Sequence, residues 1–114
     1  MTLDDLVGKT VSFYGVDNLY FKLGRTIFKA VEDEEDGYRS SLGSIEVENN
    51  ETVSLIFFKT PIARVLIEKE DGVFEGFNLR DVKDTSHIWL RVGTDDTDDY
   101  YPSFVFDYTP KAPK

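Results

Sequence analysis

The chain has no cysteine, one histidine and one methionine, its first residue. Without cysteine there can be no disulfide, no thiolate zinc site and no cysteine nucleophile. His87 is the sole imidazole, so any Ser-His hydrolase chemistry would have to run through it. The short catalytic motifs are missing too. There is no Gly-x-Ser-x-Gly, no Gly-rich loop ending in Lys-Ser or Lys-Thr, and no His-Glu-x-x-His. The balance leans away from an enzyme.

Long apolar runs are also lacking, and none approaches the roughly 18 residues that cross a bilayer as a helix. Residues 1–8 carry no basic segment ahead of an apolar one, so a secretory leader is not expected and a cytoplasmic location is. Only three alanines occur in 114 residues, too little of the best helix former for a helical bundle.

Nine Phe, six Tyr and one Trp are present instead, residues that favour strands and fill compact β cores. Residues 2–9 suit one short helix, with Thr2 as N-cap and Asp5 three residues on. Strand-like runs follow at 10–16, 19–23, 26–33, 38–42 and 45–48, separated by turn residues. Residues 53–58, Val-Ser-Leu-Ile-Phe-Phe, read as a strand buried on both faces. Pro61 ends that run because it cannot donate to a ladder.

Further strands are expected at 62–69, 73–77, 87–92 and 103–108, with 78–86 as a loop or helical turn. Alternation in the third of these puts Ile88, Leu90 and Val92 on one face and Trp89 and Arg91 on the other. His87 opens that strand, and partial exposure is expected for it. The pattern predicts an all-β, mainly antiparallel fold. It would be a small β-sandwich or β-barrel of about 7–9 short strands, with at most one or two short helical turns. Residues 1–108 form one domain and 109–114 a flexible C-terminal tail.

Charge is where the sequence is unusual. Of 22 acids, nine lie in two turns: Glu32, Asp33, Glu34, Glu35 and Asp36, then Asp95, Asp96, Asp98 and Asp99. The remaining 13 acids balance 13 bases, so the net charge of −9 sits in those two turns. Each turn is followed by aromatic residues, Tyr38 with Arg39 in one case and Tyr100 with Tyr101 in the other. Tyr and Arg are frequent at binding hot spots, although a Tyr at a strand end serves equally well as a cap on a core.

Acidity of this kind argues against direct binding of nucleic acid or anionic membrane, which needs clustered Lys and Arg. It favours a protein partner with a basic surface, because opposite charge steers and selects such an encounter. A basic surface is often a nucleic-acid site, so the domain could act as a competitor that imitates phosphate.

Asp95, Asp96, Asp98 and Asp99 also offer the hard oxygens that a Ca²⁺-like cation prefers. An EF-hand is excluded, since counting from Asp96 puts Tyr101 where that loop needs Gly. A looser divalent-cation site remains open beside the simpler reading of solvated hairpin tips that keep the protein soluble. No cofactor is implied otherwise. Two alternatives stand next to the interaction domain. One is a small-molecule or cation-binding module, in which Arg39, Arg64, Arg80 and Arg91 would hold an anionic ligand. The other is a structural component of a larger assembly. The sequence sets no oligomeric state.

Overall fold

The computed structural model describes residues 1–33, 41–48, 50–97 and 101–111. A 3-10 turn at Leu3–Leu6 leads into β1 (Thr10–Asp17), β2 (Tyr20–Leu23), β3 (Thr26–Asp33) and β4 (Ser41–Glu48). A single turn of helix, α1 (Glu51–Ser54), precedes β5 (Ala63–Asp71), β6 (Phe74–Asp81), β7 (Ile88–Asp95) and β8 (Ser103–Tyr108). All eight strands belong to one sheet ordered β4-β3-β2-β1-β5-β6-β7-β8, and every neighbouring pair is antiparallel. The all-β, mainly antiparallel fold expected from the sequence is the fold observed.

Two meanders make this sheet. The first half of the chain adds strands outward from β1 to β4. The second half starts again on the other side of β1 and adds β5 to β8. The sheet is not a closed ring of hydrogen bonds, yet it is strongly curled. In a flat sheet β2 and β8 would stand about 24 Å apart. Here the rings of Phe21 and Phe106 are 6.1 Å apart, and those of Phe13 and Tyr108 6.2 Å. Phe13, Phe21, Phe28, Val65, Ile67, Leu79, Leu90 and Val92 are fully buried between the two halves. Leu3 and Leu6 of the 3-10 turn join the same core. That turn is stabilised as the sequence suggests, with the Asp5 carboxylate accepting from the Thr2 backbone N–H at 2.8 Å.

The runs expected to end at 42 and restart at 45 are one strand, since β4 continues through Gly43 and Ser44. Three further expectations need correction. Residues 53–58 are not a strand: α1 occupies Glu51–Ser54, and Leu55, Ile56 and Phe58 are 84%, 47% and 61% exposed. The physical reason is topological. The chain leaves β4 at one edge and must return to the far side of β1, which β2 already flanks on the other side. This connection runs past β1, and among the described residues no ladder pairs 55–62. Its backbone meets β1 where the Phe58 N–H donates to Tyr14 O at 3.3 Å and the Ile62 N–H to Phe13 O at 2.8 Å.

The second correction concerns 78–86. Asn78 to Asp81 continue β6, because Asn78 pairs with both Glu68 and Arg91 across its two ladders. The third concerns Trp89. Leu79 pairs with Leu90, but Arg80 pairs with Ile88, so Trp89 is the extra residue of a β-bulge. One inserted residue reverses the alternation that follows it. Trp89 and Leu90 are therefore both buried, and Trp89 does not share an outward face with Arg91.

Candidate functional site

The two acidic turns are rooted side by side. Glu32 and Asp33 close β3, where they pair with Leu42 and Ser41 at the start of β4. The Leu42 N–H donates to the Thr94 hydroxyl of β7 at 2.9 Å, one residue before Asp95. Glu32 also shares a surface groove with Phe104 and Phe106 of β8. Asp95 and Asp96 are thus brought to the foot of the β3–β4 turn by the curl of the sheet. Tyr101 is exposed on the far side of the β7–β8 turn. Glu34, Glu35, Asp36, Tyr38, Arg39, Asp98, Asp99 and Tyr100 lie outside the described residues.

A third turn, not singled out by its sequence, adds to the same end. Asp71 pairs with Glu75 across the β5–β6 turn, and Glu75 pairs with Thr94. The Asp96 N–H donates to Val73 O at 2.8 Å, which binds this turn to the acidic one. The available signal was Asp71-Gly72, which marks the hairpin but not its place in space. The nearby cations are engaged. Lys69 Nζ is 2.7 Å from Asp4 Oδ1, which raises the Lys69 pKa, and Arg91 is 3.4 Å from Glu70 and lies over the Phe74 ring. Asp95 is held below the usual carboxylate range by hydrogen bonds from the Thr97 hydroxyl and N–H. Among the described residues, no three Asp, Glu or His side chains are grouped to hold a metal ion.

A cleft of about 700 Å³ opens near the other ends of β5 and β6. It is lined by Ser12 of β1, by Pro61, Ile62, Ala63 and Arg64 at the start of β5, and by Asp81, Lys83, Trp89 and Lys111. Asp81 organises it. One carboxylate oxygen accepts from the N–H groups of Lys83 and Asp84 at 2.7 and 2.9 Å. The other accepts from Trp89 Nε1 at 2.8 Å and lies 3.2 Å from Lys111 Nζ. Burial pushes this carboxyl up, but the Trp89, Asp84, Lys83 and Lys111 donors outweigh it and bring the pKa down to about 2. Sequence reasoning missed this centre, because Asp81 fell in the stretch taken as a loop.

The chain matches no protein-family model, no curated protein and no solved structure. His87, beside the cleft, is half-buried, with its ring edge-on to Trp89 at 5.0 Å and its Nε2 buried without a hydrogen-bond partner.

Proposed function

We propose that this chain is a non-enzymatic interaction domain whose acidic end docks on a basic surface of a partner protein, and that it blocks a nucleic-acid-binding surface there. The observation that carries the reading is the Leu42–Thr94 hydrogen bond, which roots two separately encoded acidic turns at one place. Glu32, Asp33, Asp71, Glu75, Asp95 and Asp96 then contribute to one negative end, while Lys69 and Arg91 are already paired with Asp4 and Glu70. A field of one sign on one end speeds association with its complement and rejects like-charged surfaces.

The test is affinity capture from extract at low and high salt, with the retained proteins identified. The wild-type chain should retain basic nucleic-acid-binding proteins, lose them as salt rises, and lose them to added nucleic acid. A variant with Asp71→Asn, Glu75→Gln, Asp95→Asn and Asp96→Asn should retain far less. Equal capture by that variant, or a retained set with no basic member, would overturn the reading.

A further inference from the structure

The geometry points to a second ligand site at the opposite end of β5: the cleft beside Arg64 takes a small organic phosphate, a phosphate monoester with an apolar body. This is independent of the acidic end. Arg64 and Asp71 are seven residues apart on β5, about 23 Å along the strand.

Charge is the first reason. The chain carries −9 overall, yet Arg64, Lys83 and Lys111 line this one cleft with a single carboxylate, Asp81. Asp81 is committed to Trp89, two backbone N–H groups and Lys111, and Lys111 also reaches Asp84 at 3.6 Å. Arg64 donates only to the Thr10 carbonyl and hydroxyl, each at 3.2 Å. Among the described residues neither Arg64 nor Lys83 has a carboxylate partner. Lys69, Arg80 and Arg91 on the same sheet each face one, Asp4, Glu68 and Glu70, while Lys22 and Lys29 lie over the Tyr14 and Tyr20 rings and do not line this cleft. Two uncompensated positive charges in an otherwise acidic chain match the two negative charges of a phosphate monoester.

Shape and donor chemistry narrow the class. A volume of about 700 Å³ suits a small molecule rather than a lone ion. Arg64, whose Nη2 is engaged by Thr10, keeps Nε and Nη1 N–H groups for phosphate oxygens, Lys83 adds a point charge, and Ser12 a hydroxyl donor. Pro61, Ile62 and Ala63 give the apolar wall against which the ester's body would lie. Trp89 Nε1 donates to Asp81 at 2.8 Å, which holds the indole in place along the cleft.

Trp89 is the only tryptophan and lines the cleft, so its emission reports on this site alone. The experiment titrates the full chain at low salt with phenyl phosphate, a 5′-mononucleotide and inorganic phosphate, up to about 10 mM each, the upper limit of a meaningful weak site. At least one ester should change Trp89 emission saturably, and should bind more tightly than inorganic phosphate. Which ester is tighter separates an aryl body from a nucleoside one. Arg64→Ala with Lys83→Ala should weaken it by about tenfold or more. Both side chains are exposed, and an unchanged circular dichroism spectrum and melt would show that the variant is folded. The inference is overturned by no saturable change with either ester, by equal affinity of the double variant, or by inorganic phosphate binding as well as the esters.

Discussion

The Leu42 backbone N–H and the Thr94 hydroxyl, 2.9 Å apart, join β4 to β7 across the gap that keeps the curled sheet from closing. Leu42 pairs with Glu32 and Thr94 with Glu75 and Phe104, so one bond ties three turns together. Thr94→Val keeps the shape of the side chain but leaves a part-buried amide without its acceptor. The expected cost is about 1–2 kcal/mol in urea unfolding, with Thr94→Ser close to wild type. A neutral Thr94→Val would mean the seam is held by side-chain packing alone.

Gly76 and Gly93 face each other on β6 and β7 beneath that seam. A Cβ on Gly93 would sit 2.1 Å from the Glu75 carbonyl oxygen, and one on Gly76 2.2 Å from that of Val92. Both obstacles are backbone, so neither can rotate away. Gly93→Ala should cost about 3 kcal/mol or more, enough to lower the melting temperature sharply. Gly72→Ala in the adjacent turn, with nothing within 4 Å of its Cβ, should stay within about 0.5 kcal/mol. Similar losses at both positions would refute the close approach.

Local pattern explains what could be read in advance. Alternation places Phe13 inward, Asp71-Gly72 announces a hairpin, and Phe104, Phe106 and Tyr108 do pack on the core from one strand. Trp89 was misplaced because a bulge is one residue long and leaves no periodic trace. Glu32, Asp33 and Asp95 were legible as acidic turns. That Asp71 and Glu75 join Asp95 depends on the pairing of β5, β6 and β7, and that Glu32 and Asp33 join them depends on sheet curl, neither of which a window of residues encodes. The cleft was invisible for the same reason, since Ser12, Arg64, Asp81 and Lys111 are far apart in sequence.

Asp81 makes stability depend on pH in a defined window. Its folded-state value of about 2 lies below the ordinary 3.8, so as pH falls the unfolded chain takes up the proton first. The stabilisation is fully present above about pH 4 and is lost as pH falls through about 2. Asp5, Asp84 and Asp95 are shifted in the same direction and add to the same slope. Asp81 alone should contribute about 1–2 kcal/mol, a figure discounted for solvent screening around the carboxylate. Urea unfolding at pH 5, 4, 3 and 2 should show this loss. Asp81→Asn should flatten the slope while lowering stability throughout, because an amide has one acceptor oxygen and its N–H₂ would face either Trp89 Nε1 or the Lys83 and Asp84 N–H groups. A variant with an unchanged slope would rule out Asp81 as the source.

Residues 53–58 give the sharpest contrast between pattern and fold, because one apolar run holds both a buried and a bare side chain. Phe57 is 7% exposed and Leu55 84% exposed, two residues apart. Were the run a strand buried on both faces, truncating either would open a cavity and cost several kcal/mol. In the connection observed, Phe57 is the one buried side chain of the run. Phe57→Ala should therefore cost about 3 kcal/mol, and Leu55→Ser should stay within about 0.5 kcal/mol. Chemical denaturation of the two variants measures both. A cost above 2 kcal/mol, roughly the scale of a lost core leucine, for Leu55→Ser would restore the strand and would require β5 to find another route to the side of β1.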